Sequence, residues 1–156
     1  MIASLSYGYN VDVSLIQLAG AYAAIANGGI RKPVTLRKIE GGIVDGERVL
    51  SELTSKEIMS MLEKVAIRGA PRAKINGYRI GGKTGTAQIA AANYASDKHN
   101  ALFVGLAPLT KPKIAIAVIV NEPGGKEYYG GQVAAPVFSE IGSHSLRLLG
   151  IAPDDK

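Results

Sequence analysis

The chain has 156 residues, enough for one domain and too few for two of ordinary size. Apolar residues make up 47% of it, which argues against disorder; with aromatics at 6% and no Trp, the packing falls mostly to Ala, Ile, Leu and Val. The 18 Lys and Arg against 13 Asp and Glu leave a net charge of +5, ordinary for a soluble domain, and the lack of Cys excludes disulfides, thiolate catalysis and Cys-ligated metal.

In chain order, the first predicted element is a helix opened by Ser14. Gln17 follows three residues later, so each side chain can satisfy an orphan backbone donor of the other. Leu15, Leu18, Ala19 and Tyr22 recur at helical spacing, and Gly28-Gly29 ends the run. Val34 to Glu40 alternates as a strand would, with a Gly-rich turn after it. Thr54 and Glu57 form a second capping box, followed by Ile58, Met61, Leu62 and Val65 on one helical face.

Gly69 to Gly77 reads as a loop. Three strands are predicted beyond it, at Tyr78 to Ile89, Leu102 to Leu106 and Ile114 to Val120. Ala107 to Lys113, with Pro108 and Pro112, can close the last two into an antiparallel hairpin. Val133, Val137, Ile141 and Leu148 trace a final helix, with Pro136 near its start and Gly150 past its end. The order argues for an α+β fold with helices packed on an antiparallel sheet, and nothing marks an internal boundary in residues 1–156.

Arg68, Arg72, Lys74, Arg79 and Lys83 occur with no acid between them. A solvated loop accounts for such a run; the sharper alternative is a positive rim around a site for an anionic group. Nucleic acid is disfavoured, because no aromatics interleave with these cations as a stacking platform would require. The longest aliphatic run, Ile114 to Val120, is far short of a membrane span, and the N-terminus lacks the basic and apolar regions of a signal peptide.

One motif carries two readings. Gly77-Tyr-Arg-Ile-Gly-Gly82-Lys83-Thr84 fits the phosphate-binding loop pattern G-x-x-x-x-G-K-[ST]. That loop needs a buried strand before its first Gly and a helix starting at Lys-Thr. Ala70 to Asn76 is a poor central strand, and Gly85 falls in what would be the first helical turn. The alternative is Lys83-Thr84-Gly85-Thr86 on a strand edge. There Lys83 and Gly85 share a face, Gly85 lets another backbone approach, and Thr84 and Thr86 offer hydroxyls to a carboxylate. A helix at Lys83 would mark nucleotide binding. A strand paired with Leu102 to Leu106 would mark the other reading. A degenerate, purely structural domain is a further alternative.

Several stretches, in order, resemble the class B penicillin-binding proteins, most of all their septal, cell-division branch. Ser6-Tyr7-Gly8-Tyr9, Gln17-Leu18-Ala19, Tyr22-Ala23 and Ala26-Asn27-Gly28-Gly29 resemble the segment after the family's second active-site motif. Tyr78-Arg79-Ile80 and Lys83-Thr84-Gly85-Thr86-Ala87-Gln88 resemble the third motif with its flanks. Phe103-Val104-Gly105 with Ala107-Pro108 resembles the next strand, and Tyr128-Tyr129-Gly130-Gly131 with Ala134-Ala135-Pro136-Val137-Phe138 the start of the last helix. Leu15 stands where a helix-opening Pro is common and Asn10 where Gly is common, which touches the helix start and not the chemistry.

The resemblance implies a transpeptidase and serine β-lactamase type of fold. It implies D,D-transpeptidation: a Ser attacks a D-Ala-D-Ala stem peptide, an acyl-enzyme forms, and an amine of a second peptide accepts the acyl group. β-lactams would acylate the same Ser, and no cofactor or metal is required. Lys83 would then support the local charge and hydrogen-bond network. Thr84, Gly85 and Thr86 would line the carboxylate site, and the Thr86 backbone N–H would be one of two oxyanion donors. No Ser here has Lys three residues on, and no S-x-N occurs. The resemblance therefore makes residues 1–156 a C-terminal portion, expected to be inactive alone and to need an N-terminal part carrying the nucleophile and two further strands. It implies a parent at the periplasmic face of the inner membrane, anchored by a segment outside this chain and working with division-machinery proteins. His99 and His144 lack a spaced partner and read as surface or packing residues.

Overall fold

The computed structural model describes residues 11–41, 44–89 and 98–155. The Ser6–Tyr9 stretch and Asn10 lie outside them. Helix α1 (Leu15–Ala26) opens as its sequence predicts: Ser14 Oγ accepts the Gln17 N–H at 3.3 Å, and Gln17 Oε1 accepts the Ser14 N–H at 2.9 Å. Gly28 and Gly29 both take positive φ and turn the chain out of the helix into β1 (Ile30–Arg31).

β1 pairs antiparallel with β2 (Glu47–Arg48), Ile30 opposite Arg48. The strand expected at Val34 to Glu40 does not form. Pro33 supplies no N–H just before it, and Thr35 Oγ1 accepts the Arg37 N–H at 3.0 Å, a local bond that replaces a ladder bond. Without a neighbouring strand, Val34 stays 61% exposed and Leu36 fully exposed.

The expected Thr54/Glu57 box is also displaced. Helix α2 (Glu52–Gly69) starts one turn earlier, with Ser51 as its N-cap accepting the Thr54 N–H at 3.0 Å. A short 3₁₀ turn, Pro71–Ala73, follows α2, and Ala70, Ala73 and Ile75 of this predicted loop are core residues.

The main sheet has the order β3 (Gly81–Gln88), β4 (His99–Ala107), β5 (Ile114–Asn121), all antiparallel. Gly85 pairs with Leu102 and Thr84 with Phe103; Phe103 in turn pairs with Val118. Lys113 N–H donates to Ala107 O at 3.1 Å and closes the β4–β5 connection. β3 begins later than its pattern suggests, because the C-terminal tail claims Tyr78 and Arg79. Tyr78 Oη donates to Ile151 O at 2.5 Å, and Asp154 Oδ1 accepts the Arg79 N–H at 2.8 Å.

Helix α3 (Gly130–Leu148) packs on β4 and β5. Its Phe138 meets Phe103 with ring centroids 4.9 Å apart and planes tilted by 59°, and both rings are fully buried. Gly105 makes this possible, since a Cβ there would lie 2.7 Å from the Phe138 ring. Pro136 lies inside α3 and not only near its start. The fold is α+β, helices on an antiparallel sheet. Lys83 lies within β3, with no helix beginning there, and Gly77 follows a 3₁₀ turn instead of a strand. The phosphate-loop alternative is thereby overturned.

Candidate active-site wall

β3 pairs only with β4 among the described residues, so its other edge is open. Lys83, exposed on this strand, turns its Nζ to the Thr84 carbonyl oxygen at 2.8 Å. That oxygen therefore points to the open edge. In an antiparallel strand the N–H and C=O of a residue point to one side, and those two residues on point to the same side. The Thr86 N–H thus faces the open edge as well.

Lys83 and Gly85 lie on one face of β3, Thr84 and Thr86 on the other. The threonines line a cavity of about 460 Å³ together with Gly69, Pro71, Arg72 and the segment Tyr129–Gln132. Thr86 Oγ1 accepts the Gly130 N–H, the first amide of α3, at 3.2 Å. One of the two hydroxyl lone pairs takes up that donor, and the hydroxyl keeps its own proton to donate elsewhere. The positive end of the α3 dipole is applied at the same point.

This contact depends on Gly130 having no side chain. A Cβ there would lie 2.1 Å from Leu102 O and 2.5 Å from Gly85 O, so the helix end is pressed against two strand backbones. Aromatic rings border the wall. His99 stacks on Tyr128 at 4.4 Å, Tyr128 meets Tyr129 at 4.4 Å, and the two tyrosine hydroxyls are 3.1 Å apart.

Arg72 and Arg79 of the basic run are each paired with an acid, which weakens the positive-rim alternative. Arg72 forms a two-pronged pair with Glu127 at 2.8 and 3.1 Å, and Arg79 one with Glu63 at 2.7 and 2.8 Å. The hydrogen bond from Arg72 holds the Glu127 carboxyl below its ordinary pKa, and the bonds that Arg79 donates to the Glu63 carboxylate raise the pKa of its guanidinium. Partial burial alone would raise the Asp154 carboxyl. The Thr110 hydrogen bonds, then the Arg79 amide and charge, outweigh it and leave the carboxyl lowered. His144 Nδ1 lies 2.8 Å from Glu140 O on its own helix, away from the threonines.

The structure brings Thr84 and Thr86 together with Arg72, named above only as a member of the basic run, and with Tyr129 and Gly130, which the sequence did not mark as site residues. Among the described residues no cluster of His, Cys, Asp or Glu could hold a metal ion, and no helix is long and apolar enough to cross a membrane.

Residues 1–143 match the family model for the penicillin binding protein transpeptidase domain. The chain is 40% identical over 155 residues to peptidoglycan D,D-transpeptidase FtsI of Escherichia coli, covering 97% of this chain and 26% of that protein. It is 38% identical over 154 residues to the probable peptidoglycan D,D-transpeptidase PenA of Neisseria gonorrhoeae, with the same coverage of 97% and 26%. The solved transpeptidase domain of Burkholderia pseudomallei penicillin-binding protein 3 superposes with a TM-score of 0.88 at 44% identity, over 97% of this chain and 47% of that one. The chain thus spans about a quarter of the length of these curated relatives. It belongs to the penicillin-binding protein transpeptidase domain family.

Proposed function

We propose that residues 1–156 are the C-terminal portion of a serine-type peptidoglycan D,D-transpeptidase and supply one wall of its active site. The observation that carries this is the Thr86 hydroxyl, held by the Gly130 N–H beside an open strand edge and left with a proton to donate. A stem-peptide or β-lactam carboxylate against Thr84 and Thr86 would receive that proton in a charge-assisted hydrogen bond. Lys83 adds positive charge at the same edge, and the edge-facing Thr86 N–H is suited to an oxyanion.

The reaction assigned to the parent is acyl transfer. A Ser hydroxyl, losing its proton to a base, attacks the carbonyl between the two D-Ala residues, and terminal D-Ala leaves. An amine of a second peptide then takes the acyl group and frees the Ser. Residues 1–156 carry no S-x-x-K, so nucleophile and base come from an N-terminal part, and this chain by itself is a binding half-site. Septal wall synthesis at the periplasmic face of the inner membrane, alongside other division proteins, fits the likeness to the FtsI protein.

The test grafts residues 1–156 in place of the matching half of the Burkholderia pseudomallei domain. Fluorescent penicillin should label this chimera, and Lys83→Ala should abolish or severely reduce labelling. Thr86→Ala keeps the backbone N–H but loses both the acceptor of the Gly130 N–H and one hydrogen bond to a charged group, the latter worth about 1.5–3 kcal/mol or roughly ten- to hundredfold in rate. A folded chimera that is not labelled, or one indifferent to Lys83→Ala, would sink the proposal.

A further inference from the structure

A proline inside a helix leaves a vacancy at a predictable place. In α3 the N–H of residue 136 would donate to the carbonyl of Gln132, but Pro136 has no N–H. That carbonyl belongs to the first turn of α3, the turn that lines the Thr84–Thr86 cavity. Arg72 Nη1 donates to it at 3.1 Å. The same guanidinium also grips Glu127, in the loop just before α3, with both of its terminal nitrogens.

One side chain from the turn after α2 therefore ties down both the loop that leads into α3 and the helix's first turn. The clearance on the opposite side is nil, because Gly130 already presses on the Leu102 and Gly85 carbonyls. The helix end can move only outward, and outward movement breaks the Arg72 contacts. Outward movement also lengthens the Gly130 N to Thr86 Oγ1 bond, which at 3.2 Å has little to spare.

We infer that Arg72 is a positioning residue for the transpeptidase site: by donating to the carbonyl that Pro136 leaves without its helical donor, it holds the α3 N-terminus against β3 and so sets the Thr86–Gly130 hydrogen bond. The consequence for acylation rests on the proposed transpeptidase function; the consequence at the Gly130 amide does not. Ser139 Oγ also ties α3 to this segment through Lys74 O, but two turns further along the helix, where it does not fix the first turn.

The experiment is a double-mutant cycle between Arg72 and Pro136, made in the Burkholderia chimera. Arg72→Met removes the donors and keeps much of the aliphatic bulk. Arg72→Lys keeps the charge but can serve fewer acceptors at once. Pro136→Ala returns a backbone donor to Gln132 and suits a helix interior. The readouts are hydrogen exchange at the Gly130 amide and the second-order rate of penicillin acylation.

Arg72→Met should speed Gly130 exchange and slow acylation, each by about tenfold or more, as losses of supporting contacts around a site do. Arg72→Lys should fall between. In the Pro136→Ala background the Arg72→Met effects should shrink several-fold, because the carbonyl no longer depends on Arg72. Equal losses in both backgrounds would overturn the inference, since Arg72 would then act only through Glu127. Unchanged Gly130 exchange in Arg72→Met would overturn it too. If the unmutated chimera is not acylated, the transpeptidase proposal fails by itself, and the Gly130 exchange cycle still decides the role of Arg72.

Discussion

Replacing Gly130 by Ala tests the geometry of the wall most severely. The added Cβ would stand 2.1 Å from Leu102 O and 2.5 Å from Gly85 O. Carbon–oxygen contacts ordinarily start near about 3.3 Å, so the helix end must retreat by about 1 Å. β4 cannot yield instead, because it is paired on both sides, with β3 and with β5. Such overpacking costs about 1–3 kcal/mol. The retreat also carries the Gly130 N beyond bonding distance of Thr86 Oγ1, now 3.2 Å, a further loss of about 0.5–1.5 kcal/mol. Gly131→Ala is the internal control. Its Cβ would lie 3.1 Å from Gly69 O and 3.4 Å from Thr84 Cγ2, contacts that ease with shifts of tenths of an ångström. Thermal unfolding of the chimera should drop by several degrees for Gly130→Ala and scarcely for Gly131→Ala, and acylation by penicillin should follow the same order. A Gly130→Ala protein with unchanged stability and acylation, or a more damaging Gly131→Ala, would refute the reasoning.

Further outcomes follow from other parts of the molecule. Phe138→Ala removes a fully buried ring from its contact with Phe103 and should cost about 3–5 kcal/mol, read as a lower urea midpoint at unchanged slope. Asp154 has a lowered carboxyl pKa, so its contribution is complete above the unfolded carboxyl value and is lost as pH falls through the folded one; Asp154→Asn should flatten the acid limb of a stability–pH profile below about pH 4. Isothermal titration with ATP should show no specific binding, and micromolar affinity abolished by Lys83→Ala would contradict the strand assignment. The chain alone should be marginally stable or self-associating, because Val137, Ile141 and Leu148 of α3 are exposed and β5 pairs on one side only among the described residues. A monomer in sedimentation that unfolds cooperatively with full-domain stability would count against this.

The elements legible in the sequence are those whose signals are local. Ser14 and Gln17 are three residues apart and bond to each other, so the start of α1 could be placed to the residue. The apolar runs of β4 and β5 and the proline-bearing turn between them likewise needed no distant partner to be seen. Thr84 and Thr86 were legible as candidate site residues through the family resemblance, and the register of β3 on β4 then distinguished a strand from a phosphate loop.

What was not legible depends on contacts between residues far apart in the chain. The run from Arg68 to Lys83 looks basic because its acids lie elsewhere: Glu127 is 55 residues from Arg72, and Glu63 is 16 from Arg79. Val34 to Glu40 alternates like a strand, but alternation specifies a face without supplying something to cover it. The α2 start was misplaced because Ser51 competes with Thr54 for the N-cap, and both bear a hydroxyl of the right kind. Gly130 was visible as part of a Tyr-Tyr-Gly-Gly stretch, but its approach to the Leu102 carbonyl belongs to tertiary packing.

The central claim is that this chain supplies the carboxylate-binding wall of a serine transpeptidase and not its nucleophile. Intact-mass measurement after incubation with penicillin tests it most directly, with the 156-residue chain and the Burkholderia chimera side by side. The chimera should gain the mass of one penicilloyl group, the gain should disappear or fall sharply in Lys83→Ala, and the chain alone should gain nothing. A stoichiometric adduct on the isolated chain would mean that it encodes its own nucleophile, and a folded chimera without an adduct would mean that the Lys83–Thr86 strand is not the wall described.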